Sequence, residues 1–255
     1  MSAPDIHVGG RQIFGSRPAT FSRHCFILKP LGLQGWQGLP SGRREVLARA
    51  VQHGEHDTRV FLPSRVVTID AWAIARNEYD LGRAIDEIVG VGATGDRIDV
   101  SVAMHGQLRR AVGRRMLVEA DDSGVRNGHD YYGEFQMQLV FADPRKYGEK
   151  TTSPESGTAT SIDVSSWGNF PAYPEIELVS PPASYTISSP GGSFTVTGAT
   201  PGGVHVVNLR TGRVYRAGVE MPGVGRGDLW AVPAAQRWRH TLSTPGRIRI
   251  ADTFI

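Results

Sequence analysis

One cysteine, Cys25, stands among 255 residues, so no disulfide can form within the chain. No apolar run approaches the roughly 20 residues of a membrane-spanning helix. The first ten residues are polar and lack the apolar stretch of a secretory leader. This fits folding in a reducing cytoplasm. Lysine is scarce: Lys29, Lys146 and Lys150 are the whole set, and arginine carries the rest of the positive charge. The net charge is only +3, and the arginines are scattered apart from Arg43-Arg44 and Arg109-Arg110 with Arg114-Arg115. A nucleic-acid reader gathers such charge on one face. Dispersed guanidinium groups suit carboxylate pairing at surfaces and subunit interfaces instead, so no sequence-specific nucleic-acid binding is expected. The nucleophile elbow G-x-S-x-G is absent as well.

What is present is strand pattern. The length suits one large or two modest domains. Residues 1–20 are rich in glycine, proline and polar side chains and read as a loose arm. Residues 21–28 read as a strand, and 30–42 as a loop around Trp36 and Leu39. Residues 43–52 fit helix or strand, and 58–62 read as a strand. In 65–75, Val67, Ile69, Ala71 and Ala73 alternate with a second, nearly apolar face, which predicts a central strand. A helix follows: Asn77 can cap it, Asp80 places negative charge in its first turn, and Leu81, Ala84, Ile85 and Ile88 form one apolar stripe. Gly90 is its natural stop. Further strands are expected at 97–104, at 107–120 with a bend at Gly113, and along Phe135, Met137, Leu139 and Phe141.

The Ser/Thr-rich segment 151–166 reads as a linker. Beyond it, Trp167-Gly168-Asn169-Phe170-Pro171-Ala172-Tyr173-Pro174 is a stiff, non-helical approach to a strand beginning near Glu175, because its prolines fix φ and push the residues before them to extended backbone. Short strands then recur at 175–179, 193–197, 204–209, 213–217, 237–242 and 247–250, separated by Pro-Gly and Gly-Gly turns, the pattern of a β-sandwich.

Several local clusters hint at chemistry and are better explained by structure. His53-Gly54-Glu55-His56-Asp57 has metal-ligand residue types, but no second ligand cluster follows at a recognisable spacing, so a polar turn is expected and no metal. Gly90-Val91-Gly92-Ala93-Thr94-Gly95 matches G-x-G-x-x-G in the wrong context, following a helix and preceding a strand, whereas a dinucleotide site needs the reverse; no cofactor is expected. Asp121 and Asp122 fall on a turn and point apart. Arg226-Gly227-Asp228 spells an adhesion tripeptide too short to carry weight. Cys25 lies in an apolar strand and reads as a buried small residue. No catalytic residue is assigned, and the chain is read as a non-enzyme.

The Gly-Asn turn followed by Pro-Ala-x-Pro-x-Ile-x-Leu, at 168–178, resembles the start of the C-terminal domain of the distal tail proteins of long-tailed bacteriophages. Gly35-Trp36-Gln37-Gly38-Leu39-Pro40 and the closing Phe141-Ala142-Asp143-Pro144 through Tyr147 are similar to features of that family's first domain. The resemblance implies a mainly β chain. Residues 1–150 would be an α+β ring-forming domain with a β-barrel-like sheet and one helix, and 151–255 a galectin-like β-sandwich. It favours strand for 43–52. It implies a hexameric ring in the virion at the distal end of the tail, made in the host cytoplasm. Its partners would be the tail tube protein, the tail tip hub protein, the tape measure protein and receptor-binding proteins, with DNA passing through the channel. On this reading free strand edges in the first domain are covered by the next copy. Arg109, Arg110, Arg114 and Arg115 are candidates for ring or lumen contacts. The alternative is a carbohydrate-binding module for host wall glycans, with Tyr215, Trp230 and Trp238 as a sugar platform.

Overall fold

The computed structural model describes residues 3–255, without the side chains of residues 122 and 123, so that of Asp122 lies outside the described residues. The chain divides into two compact units, Met1–Lys146 with Ile255, and Tyr147–Phe254.

The first unit is a closed barrel of seven strands. They are β1 (Asp5–Val8), β2 (Arg11–Phe14), β3 (His24–Gln34), β4 (Arg65–Ala75), β5 (Ile98–Met104), β6 (Gln107–Asn127) and β7 (Asp130–Phe141). Around the wall the order is β1-β2-β3-β4-β7-β6-β5 and back to β1. Every pair is antiparallel except β2 with β3, where Ile13 lies beside Phe26 and Phe14 beside Ile27. Closure runs through the first fifteen residues. Ile6 pairs with Ile13 on one side and Val102 on the other, and the hairpin between β1 and β2 turns at Gly9-Gly10, both at positive φ. Within the arm expected at 1–20, residues 5–14 are therefore a hairpin: Ile6, Val8 and Ile13 are fully buried. Three apolar residues, set in period-2 alternation, suffice to insert a short hairpin between two open strand edges.

The strand β4 has its expected ends and burial. The helix α1 (Glu78–Gly90) is capped by Asn77, whose side chain accepts from the Asp80 backbone N–H, and it takes in Gly90, the expected stop, with Val91 as its C-cap. Its buried stripe of Leu81, Ala84, Ile85 and Ile88 joins the same core as the barrel interior. It packs on β3, β4, β6 and β7, where the wall offers small residues: Ala71, Ala73 and Ala75, each fully buried. Gly133 is part of that allowance. A Cβ there would fall 2.9 Å from the Asp121 carbonyl and 3.3–3.4 Å from methyls of Ile85 and Leu81. Gly133→Ala should cost about 1–3 kcal/mol by overpacking, read as a lower urea midpoint with unchanged slope.

Three further stretches differ from the sequence pattern in whole or part. Residues 43–62 hold no strand, only isolated bridges between Arg43 and Phe61 and between Ala48 and Glu55. The apolar residues that suggested strands there, Val46, Leu47, Val51, Val60 and Phe61, are all more than half exposed and have no sheet to join. The loop expected at 30–42 is partly strand, since β3 resumes after a register shift between Leu28 and Leu33. Of the two turn-rich tetrads expected to bracket a turn or long hairpin tip, 121–124 forms a bulge between Asp121 and Val125 inside β6, and 126–129 holds the hairpin tip at Gly128-His129.

The second unit is a two-sheet sandwich of β8 (Lys146–Ser153), β9 (Ala159–Ser166), β10 (Glu175–Val179), β11 (Tyr185–Ser189), β12 (Gly192–Val196), β13 (Val204–Asn208), β14 (Arg213–Arg216), β15 (Val219–Glu220), β16 (Gly225–Gly227) and β17 (Gln236–Phe254). One sheet runs β9-β17-β11-β12-β16 and the other β15-β14-β13-β10-β17, with β8 also on β17. The two strands expected at 237–242 and 247–250 are one continuous β17 that serves both sheets, changing partners across a register shift between Thr241 and Gly246. A Cβ on Gly246 would meet the Glu177 carbonyl at 2.5 Å, so the crossover needs glycine. The Ser/Thr-rich 151–166 is strand rather than linker: Ile162 and Val164 enter the sandwich core.

Candidate functional site

Two kinds of surface are left unsatisfied in the first unit. One is the 43–62 excursion, with Val51 93% and Phe61 56% exposed. The other is the distal half of β6. The strand β5 leaves β6 at Gly113, and from Arg114 to Asn127 the ladder runs with β7. The barrel thus closes through its own strands edges that a neighbouring copy was expected to cover, and the distal half of β6 carries exposed apolar side chains. Met116 and Val125, both more than half exposed, lie along it.

The four candidate arginines sit on β6 with different roles. Arg115 donates to the carbonyls of Val89 and Val91 (3.2 Å to the latter), satisfying the C-terminal turn of α1 where a cation is electrostatically favoured. Arg114 donates to the Gly95 carbonyl. Arg109 donates to Gln107 and lies at a half-buried inward position opposite Val102. Arg110, opposite Ser101, is exposed on the outer face. The glycine-rich 90–95 segment that Arg114 and Arg115 hold is a turn after the helix, as its context implied. His53, Glu55, His56 and Asp57 lie on the 43–62 excursion, where Glu55 pairs with Arg44. Among the described residues no three of His, Cys, Asp and Glu gather as metal ligands.

The residue that sequence reasoning missed is Arg65, the first of β4 and 1% exposed. Its guanidinium donates to the carbonyls of Pro144 (2.9 Å), Gly35 (2.7 Å), Trp36 (3.1 Å) and Gly38. Lys146, also buried, donates to the Trp36 carbonyl at 2.8 Å. Burial pushes the Lys146 ammonium down to about 8, with the nearby Arg65 and Arg109 charges acting in the same direction. Two cations therefore hold the Trp36 loop, whose indole packs edge-on against Phe141. Cys25 is buried, and burial pushes its thiol up to about 11, away from thiolate chemistry at neutral pH.

Of the three platform candidates of the second unit, one is buried. Trp230 is buried, its indole N–H donating to His240 Nε2 at 3.1 Å. Trp238 is half-buried against the sandwich core, and Tyr215 is half-buried on β14. A core position accounts for Trp230, which offers no face to a sugar. Asp228 of the Arg-Gly-Asp tripeptide accepts from the Ser193 backbone N–H at 3.1 Å, tying that loop to β12.

The sandwich also buries two neutral histidines. His205 Nε2 faces the Thr200 carbonyl at 3.0 Å and so carries the proton, leaving Nδ1 to accept from the Tyr185 hydroxyl at 3.1 Å. His240 accepts through Nε2, and its buried Nδ1 has no hydrogen-bond partner among the described residues. Burial lowers both, His240 to about 4. With the folded-state value below the unfolded one, the unfolded chain binds more protons between about 6.5 and 4. Stability should therefore be full above that window and fall as pH drops through it, by about 3 kcal/mol for His240 alone. Urea midpoints at pH 7 and 4.5 measure the loss, and His240→Gln should reduce the slope.

Comparison with known proteins adds the fold. No family model and no curated protein sequence matches the chain. Among solved structures it is similar to the Dit protein of phage SPP1, described as a paradigm of the hub adsorption apparatus in phages infecting Gram-positive bacteria. The TM-score is 0.70 at 16% identity, over 99% of this chain and 100% of that one. It is similar also to the phage P2 baseplate in its activated conformation, with calcium (TM-score 0.54) and with strontium (0.52), each at 8% identity over 98% of both chains. The chain has the Dit fold, mainly β with a closed seven-stranded barrel.

Proposed function

We propose that this chain is a structural subunit of a phage tail tip: a distal tail protein that assembles into a hexameric ring between the tail tube and the tip hub, with no catalytic role. The observation that carries this reading is the likeness in fold to a phage hub protein across 99% of the chain, through both units in order. A fold by itself does not give a function. Two features of this chain support the reading. The exposed apolar residues of the 43–62 excursion and those of the distal half of β6, Met116 and Val125, both need a cover that the subunit does not supply. Each lies on a different part of the chain, so a head-to-tail contact that repeats until it closes satisfies both. Arg110, Met116 and Val125 are the proposed contact positions on one side of that joint, and Val51 and Phe61 on the other. Tape measure, receptor-binding proteins and passing DNA are the further partners such a ring would meet.

Electron microscopy of the purified protein, with a mass measurement, tests this directly. Six-fold rings are expected. Phe61→Asp should shift the mass toward monomer while leaving the thermal midpoint within a degree or two, since Phe61 is exposed in the subunit. A protein that stays monomeric at high concentration defeats the proposal.

A further inference from the structure

The strand β3 carries a strained, exposed leucine. Where β3 shifts register against β4, between Leu28 and Leu33, residues 29–32 bulge from the ladder. Leu31 sits in that bulge at φ 59° and is 92% exposed. An exposed leucine alone is ordinary. One held in the left-handed region is not, because a bulky side chain there crowds its own backbone and gains no contact in return. Glycine or asparagine would serve the fold better. The bulge is nonetheless held in place. Lys29 pairs with Glu134 at 2.6 Å, and Gly32 lies so close to β4 that a Cβ on it would meet the Asp70 carbonyl. The subunit thus presents one apolar side chain at a fixed position and makes no use of it.

The same chain has a socket. A cavity of about 150 Å³ opens on the 43–62 excursion, lined by Arg43, Glu45, Leu47, Thr58, Arg59 and Phe61. A space of about that volume takes one benzene-sized apolar group. Its frame is tied. Arg43 and Phe61 exchange backbone hydrogen bonds at 2.7 and 2.9 Å, and the Thr58 hydroxyl donates to the Glu45 carbonyl at 2.6 Å. The Arg59 guanidinium stands 5.8 Å from the Phe61 ring centroid, so the ring and the arginine stem beside it give the cavity an apolar wall.

We propose that Leu31 of one copy seats in this cavity of the next. The inference rests on the head-to-tail joint proposed above and names the side chain and the socket that key it. Ladder pairing puts Leu31 on the matching side of that joint. The bulge lies against Asp70, Asp70 pairs with Gln136, and Gln136 pairs with Glu119, which stands on β6 between Met116 and Val125. Three strand spacings, about 15 Å, separate Leu31 from that stretch along one wall of the barrel. Knob and socket lie on different elements of one chain, so each copy offers both and the contact repeats from copy to copy.

Leu31→Asn is the test, since asparagine keeps the branched shape, tolerates the left-handed region and brings a polar end to an apolar cavity. Association should weaken about tenfold or more, read as mass across a dilution series, while the thermal midpoint of the diluted, monomeric chain holds or rises. Leu31→Met, still apolar, should keep most of the association. Leu31→Cys combined with Leu47→Cys should give a ladder of covalently joined copies on oxidation, and neither single variant should, because Cys25 is buried. Association of Leu31→Asn equal to that of the unsubstituted chain overturns the inference, and so does a double variant without a ladder. Six-fold rings with neither effect sink this inference alone, and a ladder in assemblies that are not six-fold rings sinks the ring alone. A chain that stays monomeric at high concentration sinks both.

Discussion

Deleting residues 3–15 should abolish the soluble fold of the first unit. The deletion removes Ile6, Val8 and Ile13 from the core and opens two strand edges at once, that of β5 along Val100 and Val102 and that of β3 along Phe26 and Ile27. Loss of a single buried isoleucine side chain typically costs about 2–5 kcal/mol, so three together meet or exceed the 5–15 kcal/mol of a typical domain. The opened edges are apolar and unblocked, and aggregation is the expected form of failure. The soluble fraction after expression, and size-exclusion of whatever remains, read the outcome. The graded version is Ile6→Ala, which should stay folded and lose about 2–5 kcal/mol by urea denaturation. A truncated chain that remained soluble with an unchanged midpoint would show that the hairpin does not close the barrel.

Substituting Arg65 should be nearly as damaging. Arg65→Met fills similar volume but strips the Arg65 donor from the Pro144, Gly35 and Gly38 carbonyls, while that of Trp36 keeps Lys146. Buried acceptors left unpaired cost about 1–3 kcal/mol each, although not additively. Removing one buried cation also relieves its repulsion on Lys146, whose ammonium burial already disfavours. The balance is set by the carbonyls, because one guanidinium fork serves several of them and no apolar side chain serves any. A loss of about 3–5 kcal/mol is expected, the range for breaking a buried charged network. Arg65→Lys should recover only part of it, since a point charge cannot reach Pro144 and Gly35 together. Lys146 should titrate closer to the usual lysine range in Arg65→Met, a change that NMR of the labelled side chain would detect. An Arg65→Met midpoint within experimental scatter of the unsubstituted chain would remove Arg65 from any structural role.

Neither residue set announced itself. The first fifteen residues carry the alternation of a hairpin, Ile6 and Val8 before Gly9-Gly10 and Ile13 after it. With three apolar positions among polar neighbours, the local signal is too thin to separate a strand from an arm. Only the empty place between β5 and β3 makes the hairpin worth forming. Arg65 looked like an ordinary charged residue at a strand end because its four acceptors lie 27 to 79 positions away. The 43–62 stretch failed in the opposite sense. Its apolar residues fit a strand, but a strand needs a neighbour, and these side chains are left exposed.

Where local chemistry dominates, the sequence alone was enough. The strand β4, the helix α1 with its Asn77 cap, the inward row of β7 from Phe135 to Phe141, and the hairpin between β13 and β14 follow from periodicity, capping and turn residues a few positions apart. The tertiary structure decided what depends on partners distant in the chain. It closed the barrel through β1 and β2, gave β17 to two sheets, buried Trp230 and left Trp167 in solvent. Periodicity says which side chains share a face. Whether that face meets core, water or another molecule is set by what the rest of the chain places against it.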